Sequence, residues 1–135
     1  MPKDDNHVFC YAVYICAVSK TGDKLYLTNP SQNKLLTLAR DGSVLSSFTG
    51  RDLLWPTSVH VTPAGQVLVC GEGLHTIIQV DIKGREKLAI LATQKDGLQN
   101  PLSVCFNSNT ASIILSQWNK SQKLYNNKIL VYKVQ

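Results

Sequence analysis

Charged residues are scarce in this chain, and long hydrophobic runs are missing. Asp, Glu, Lys and Arg make up 17% of the residues, whereas globular proteins average roughly a quarter. With 44% hydrophobic residues, so few charges exclude an intrinsically disordered chain. The longest hydrophobic run, residues 8–18, has eleven residues, fewer than the roughly 18 that a membrane span needs. Asp4 and Asp5 precede it where a signal peptide would be basic, so we expect an N-terminal strand pair there.

Closely spaced metal ligands are also missing. The Cys and His residues stand far apart or lack paired spacing: Cys10, Cys16, Cys70, Cys105, His7, His60 and His75. Zinc sites need Cys or His pairs at short spacing, so no metal or other cofactor is predicted. Cys16, Cys70 and Cys105 fall inside expected strands, where a thiol behaves as a small hydrophobe. We therefore expect reduced core cysteines in a cytoplasmic protein.

Helical periodicity is absent, and a β repeat stands in its place. No window keeps apolar residues at helical spacing for three turns, because Gly, Pro or Asn interrupts each run. The string KLYLTNPSQNKLLTLARDG at 24–42 aligns without a gap with QVLVCGEGLHTIIQVDIKG at 66–84, and NKILVY at 127–132 repeats NKLLTL at 33–38. A period of 40 to 50 residues is typical of four-stranded propeller blades. The sequence therefore predicts an all-β fold.

The repeat divides the chain into an N-terminal lead-in strand at 1–12 and three units at 13–55, 56–100 and 101–135. Strands are expected at 16–18, 25–28, 35–38 and 44–48 in the first unit, at 58–61, 67–70, 77–80 and 87–92 in the second, and at 103–106, 113–115 and 129–134 in the third. Residues 117–126 are expected to form a loop with an insertion. The third unit thus lacks a fourth strand, which predicts a partial propeller of about three antiparallel blades.

The third strand of each unit resembles the NHL repeat. The strings NKLLTL at 33–38, HTIIQV at 75–80 and NKILVY at 127–132 match its signature, with a glycine turn after two of them and a Pro (Pro56 and Pro101) opening the next unit. The pattern is most similar to the C-terminal propellers of tripartite-motif ubiquitin ligases. The resemblance implies a non-catalytic module that recognises a protein substrate or single-stranded RNA. No RING-type zinc spacing occurs in these 135 residues.

An enzyme of the six-bladed lactonase or hydrolase type is the alternative. Calcium prefers oxygen ligands, and Glu72 at a blade loop is the best candidate for a first ligand. The other acidic residues argue against it, because most lie in predicted turns, where an Asp bonds its own backbone. We therefore expect no catalytic site.

Charge and aromatic residues indicate where a partner would bind. Residues 97–135 hold four lysines and no acidic residue, an asymmetry typical of a surface for an anionic partner. The loops after the second and fourth strands of a blade emerge at the same end. There they contribute basic and aromatic side chains that can pair phosphates and stack bases: Arg51, Trp55, Lys95, Trp118, Lys120, Lys123 and Tyr125. For Trp55, next to Pro56, a role in blade packing is the favoured alternative.

Ring closure is the last question that the sequence raises. Propellers have four to eight blades, so three units cannot close a ring alone. Two chains could form six units, with the apolar segment 8–14 of each completing the third unit of the other. The alternative is a fragment of a longer ligase. No membrane partner is expected.

Overall fold

The computed structural model describes residues 15–121 and 124–133, and they form three antiparallel sheets. Sheet I contains β1 (Cys16–Val18), β2 (Lys24–Asn29), β3 (Lys34–Ala39) and β4 (Val44–Phe48). Sheet II contains β5 (Pro56–Val61), β6 (Val67–Gly71), β7 (Thr76–Val80) and β8 (Lys87–Ala92). Sheet III contains β9 (Pro101–Asn107), β10 (Ser112–Ser121) and β11 (Leu124–Lys133). The predicted all-β fold is confirmed.

Each sheet is a meander in which sequence neighbours pair, and the sheets stack on one another. Contacts between successive sheets run mainly through their first two strands, from β1 and β2 to β5, and from β5 and β6 to β9. The first strands therefore lie nearest to one another, and the sheets fan out towards their later strands.

The central sheet is buried on both faces, which explains its unbroken apolar run. In β6, Val67 and Val69 pack with residues of sheet I, whereas Leu68 and Cys70 pack with residues of sheet III. Side chains alternate between the two faces of a strand, so a strand between two sheets needs apolar residues at every position. The stack therefore holds two cores, one between sheets I and II and one between sheets II and III.

Aspartates shape the turns, as the sequence predicts. Asp41 Oδ1 accepts from the Ser43 backbone N–H at 2.9 Å, and Asp81 Oδ1 accepts from the backbone N–H groups of Arg85 and Glu86 at 2.7 and 2.9 Å. The two hydrogen bonds from Ser43 lower the pKa of Asp41, the bond from the hydroxyl more than that from the backbone N–H. Asp52 differs, because its carboxylate pairs with the Lys87 ammonium.

The structure corrects the loop predicted at 117–126. Strand β10 runs on to Ser121 and pairs with β11 from Ser112↔Lys133 to Ser121↔Leu124. The sequence there is polar and lacks apolar alternation, which is why it was predicted as a loop. Antiparallel pairing joins backbone N–H and C=O groups, so the pairing of the two arms leaves no apolar alternation in the sequence from which it could be predicted.

Two of the three predicted core cysteines are exposed. Cys70 is buried, and its burial raises the pKa of the thiol far above the ordinary range. Cys16 and Cys105 lie in strands as expected but are exposed. Each lies on a sheet face that no other described sheet covers, which periodicity within one strand cannot reveal. Cys10, the lead-in strand at 1–12 and the segment 8–14 lie outside the described residues.

Within 15–121 and 124–133, no helix has the length and apolar character to cross a membrane. The only helical elements in these ranges are single 3-10 turns at Pro30–Gln32, Glu72–Leu74 and Gln94–Asp96.

One glycine at the boundary of sheets I and II yields a stability prediction. Gly84 has φ +70°, and a Cβ there would lie 1.9 Å from Thr37 Oγ1. We expect Gly84→Ala to lower the free energy of unfolding by at least about 2 kcal/mol, because it adds a clash to the cost of a positive φ of ~1–2 kcal/mol. Urea denaturation monitored by circular dichroism measures it.

The matched control is Gly42→Ala. Gly42 occupies the equivalent turn of sheet I with φ +89° and has nothing within 4 Å of a Cβ. Only the backbone cost applies there, so equal losses for the two variants would contradict the packing argument.

His60 in β5 yields a second prediction, on pH. Its Nε2 is buried without a hydrogen-bond partner, and burial lowers its pKa. In the unfolded chain the pKa of His60 is about 6.5, and in the folded chain it is lower. Stability is therefore complete above about pH 6.5 and falls as the pH drops towards the lower folded pKa. We expect the Tm to fall between pH 7 and pH 5.5, and His60→Gln to flatten this fall; parallel curves for the two proteins would disprove it.

Candidate binding surface

One end of the sheet stack gathers the turns and connectors. The 3-10 turns at Pro30–Gln32 and Glu72–Leu74 join the second and third strands of sheets I and II, and the connectors 49–55 and 93–100 lead to the next sheet. The turn and the connector meet directly, because the backbone N–H of Glu72 donates to the Trp55 carbonyl at 3.1 Å and that of Gly73 to the Leu54 carbonyl at 3.0 Å. We call this region the connector end.

The turns form for local reasons. Asn29 Oδ1 accepts from the Gln32 backbone N–H at 3.2 Å, and Pro30 stands at the first helical position, where its missing N–H costs nothing. Asn33 then ends the turn in the left-handed conformation with φ +54°, which Asn tolerates better than most residues. His75 ends the second turn in the same way with φ +53°.

The residue that ends the first turn anchors the connector to the next sheet. Asn33 Oδ1 accepts from the backbone N–H of Trp55 at 2.8 Å. Trp55 itself has φ +51°, a conformation that is uncommon for a bulky residue and costs about 1–3 kcal/mol. It persists because Asn33 holds its N–H and Glu72 its carbonyl.

The same arrangement recurs one unit later. His75 Nδ1 accepts from the backbone N–H of Asn100 at 2.9 Å, and Asn100 has φ +42°. Because Nδ1 accepts, the proton of the neutral imidazole lies on Nε2. The anchored residue precedes Pro56 in the first case and Pro101 in the second. Sequence analysis missed this role; the available signal was the recurrence of Asn or His and a later X-Pro in both units.

Two glycines let the connector lie close to the second turn. A Cβ on Gly73 would lie 2.8 Å from Leu54 Cγ, and one on Gly71 would lie 2.9 Å from the Thr76 hydroxyl. The Thr76 hydroxyl in turn donates to the Asp52 carbonyl at 3.1 Å. The pair Gly71 and Gly73 is thus a packing feature of the contact between the turn and the connector.

The first connector carries exposed apolar residues and an exposed cation. Trp55 is 48% exposed, so its ring faces solvent more than the favoured packing interpretation predicts. Leu54 and Leu74 are also exposed at this end. Arg51, in the same connector, is exposed. Arg51 and Trp55 are thus two exposed residues of one connector, which also carries the exposed Leu54 and contacts the turn that carries Leu74.

Lys95 lies in the second connector. It is exposed in the turn Gln94–Asp96, which is fixed because Asp96 Oδ2 accepts from the Thr93 backbone N–H at 2.9 Å. The Tyr132 hydroxyl donates to the Asp96 carbonyl at 2.7 Å. Gln117 Oε1 accepts from the Gln99 backbone N–H at 2.9 Å, which ties this connector to the base of the long hairpin.

Three of the remaining predicted site residues belong to the extended part of that hairpin. Trp118 and Lys120 lie in β10 and Tyr125 lies in β11, within strands and not in the predicted loop. The part beyond Gln117 spans four residues of β10, about 13 Å at the usual rise. Lys123 lies outside the described residues.

The calcium alternative has Glu72 as its candidate ligand. Glu72 opens the turn Glu72–Leu74. In the part of the chain that the structure describes, no three His, Cys, Asp or Glu side chains are grouped so that they could hold a metal ion.

Comparison with known proteins identifies the fold. No protein-family model and no curated protein matches the chain. Solved structures do match. The nidogen/laminin complex aligns at TM-score 0.73 with 18% identity over 90% of this chain and 44% of that one. Streptogramin B lyase aligns at 0.64 with 17% identity over 91% and 41%. The Cps50 (Swd1) β-propeller domain of Myceliophthora thermophila aligns at 0.63 with 11% identity over 88% and 39%.

These identities establish the fold and nothing finer. The chain spans less than half the length of each of these proteins. The similarity to a β-propeller domain agrees with three stacked antiparallel meanders and first strands that lie together. The chain therefore has the fold of a partial β-propeller.

Proposed function

We propose that the chain is a non-catalytic binding module whose connector end holds a protein partner. The observation that carries the proposal is the state of Trp55. Its backbone is fixed by hydrogen bonds from two neighbouring turns, while its side chain is 48% exposed. A large aromatic group that is both held and exposed is suited to act as an anchor for a partner.

Pre-organisation explains why this arrangement favours binding. A side chain on a mobile loop loses conformational entropy when a partner orders it, and that loss weakens the complex. The Trp55 backbone is already ordered, so less is lost. Trp and Arg are enriched among the residues that dominate interface affinity, and Arg51 and Trp55 share one connector. Leu54 and Leu74 extend the apolar area around them.

The fold does not by itself separate a binding module from an enzyme. Among the similar structures, one is a nidogen complex with laminin and another is a streptogramin B lyase. Substrate recognition in a ubiquitin-ligase-type protein is the specific role that the repeat strings support through their NHL resemblance. The exposed Trp55 and Leu54 favour a protein partner, because aromatic anchors at the centre of an apolar group are typical of protein interfaces.

Single-stranded RNA is the second candidate. The observation that favours it is the charge of residues 97–135, which contain four lysines and no acidic residue. Lysines that neutralise phosphates contribute sequence-independent affinity. Lys120 lies in the hairpin that extends at the connector end, so both candidates involve the same end of the molecule.

Truncation of Trp55 tests the protein-binding proposal. Peptides are first selected from a random displayed library against the chain, and their affinities are then measured by calorimetry. We expect Trp55→Ala to weaken the selected peptides by about 30-fold or more, the effect of losing an interface hot spot of roughly 2 kcal/mol. Asn33→Ala should weaken them less, since it frees the Trp55 backbone but keeps the ring.

The matched control is Leu88→Ala. Leu88 is an exposed apolar residue of β8, outside the connectors and turns, and its loss should leave affinity within about twofold. Peptides that bind Trp55→Ala as tightly as the unaltered chain would place the binding surface elsewhere.

Charge reversal at Lys120 and Lys123 tests the RNA candidate. We expect the double variant Lys120→Glu and Lys123→Glu to weaken binding of a polyuridine oligonucleotide in a low-salt filter-binding titration, because two phosphate contacts become repulsive. The variant should fold normally, with an unchanged circular dichroism spectrum. Equal affinity of variant and parent chain would exclude Lys120 and Lys123 as phosphate ligands.

A further inference from the structure

The chain contains two contacts between sheets, and equivalent positions of the repeat build both. Tyr26 packs in the core between sheets I and II, and Leu68 packs in the core between sheets II and III. Ala17 pairs with Tyr26, and His60 pairs with Leu68. Directly paired residues of antiparallel strands lie on the same face of a sheet, so Ala17 and His60 are equivalent residues at successive contacts.

The contact between sheets II and III thus has a histidine where the earlier contact has an alanine. Val59 and Val61 pack in the core between sheets I and II, so the alternation of side chains along β5 directs His60 towards sheet III. Its Nε2 is buried without a hydrogen-bond partner in the described part of the chain, and burial lowers the pKa of the imidazole. Protonation of His60 adds a charge to an apolar contact, which is costly.

The polar anchors differ between the two contacts in a similar way. At the first anchor, the Asn33 amide oxygen accepts from the Trp55 backbone N–H at 2.8 Å. At the second, His75 Nδ1 accepts from the Asn100 backbone N–H at 2.9 Å. An amide oxygen accepts at every pH, whereas Nδ1 of an imidazolium carries a proton and can only donate. Only the second anchor therefore depends on a neutral side chain.

Neighbouring charges do not compensate protonation of either histidine. Strands β5, β6 and β9 contain no Asp, Glu, Lys or Arg, and their other titratable side chains are Cys70 and Cys105. The turn and the two connectors around His75, with the lysine paired to one of them, carry three acidic and three basic groups: Asp52, Glu72, Asp96, Arg51, Lys95 and Lys87. These groups provide no net negative charge to stabilise an imidazolium.

We propose that acidification selectively loosens the contact between sheets II and III, because His60 and His75 support it only in their neutral forms. The contact is complete above about pH 6.5, where an ordinary histidine is neutral, and it weakens below that value. Ala17 and Asn33 do not titrate, so the contact between sheets I and II stays closed. A fall in pH therefore releases the second connector from its turn while the first connector remains held. This response is a property of the fold, whether or not the connector end binds a protein.

Amide hydrogen exchange of the whole 135-residue chain, followed by NMR at pH 7.5 and pH 5.5, tests the pH response. Exchange rates are first corrected for their intrinsic dependence on pH. We expect the Asn100 amide to lose at least about tenfold of its protection on acidification, the effect of losing one hydrogen bond to the fold. The Trp55 amide should change by less than about twofold, because its acceptor does not titrate. Equal losses at both amides, or no loss at either, would overturn the proposal.

The conservative variant is His75→Asn, which places at the second anchor the residue that serves at the first. It should keep Asn100 protected at pH 7.5 and remove most of the loss at pH 5.5. His75→Ala removes the acceptor and should lower the protection of Asn100 at both pH values. If acidification reduces the protection of Asn100 as strongly in His75→Asn as in the parent chain, protonation of the imidazole is not the cause.

The contribution of His60 is separated by His60→Gln. This variant should reduce the loss at Asn100, and the double variant with His75→Asn should abolish it, so that Asn100 and Trp55 respond alike to pH. A double variant in which the Asn100 amide still loses about tenfold of its protection would contradict the assignment to the two histidines.

Discussion

The structure depends on one constraint: a thin sheet with two apolar faces is stable only between neighbours. In sheet II, β6 directs Val67 and Val69 to one side and Leu68 and Cys70 to the other. Neither set could be buried by the sheet itself, so stability arises between units and not within them. The polar hydrogen bonds at the connector end follow from this stacking, because they form only where successive sheets hold a turn and a connector together.

The sequence predicted the features that repeat. Its apolar runs and the turn residues between them placed all eight strands of sheets I and II within about two residues of their observed ends, because both features are local in the sequence. It failed at the hairpin of β10 and β11, where backbone pairing needs no apolar pattern. It also failed for Cys16 and Cys105, since exposure depends on which sheet lies opposite. The anchoring role of Asn33 was missed because its partner lies 22 residues away.

The candidate site combines strain with support. Trp55 adopts a backbone conformation that a bulky residue avoids. The energetic cost is offset by hydrogen bonds from the Trp55 N–H to Asn33 and from the Glu72 N–H to the Trp55 carbonyl. In the following unit, Asn100 occupies this position with a residue better suited to a positive φ. Trp is the less suitable residue at this position, so stability alone does not explain its presence. A role of Trp55 in recognition would explain it.

The two anchors, Asn33 and His75, also show that the contact between turn and connector is constant while the length of chain between its partners varies. Asn33 and Trp55 are 22 residues apart in the sequence, and His75 and Asn100 are 25 apart. Both pairs nevertheless form the same contact between a turn and a connector. Because both spacings close the same contact, the arrangement accommodates a difference of three residues in chain length without disturbing the stack. A repeat built in this way can acquire new loops, and with them new partners, at one end of the molecule while its core remains the same.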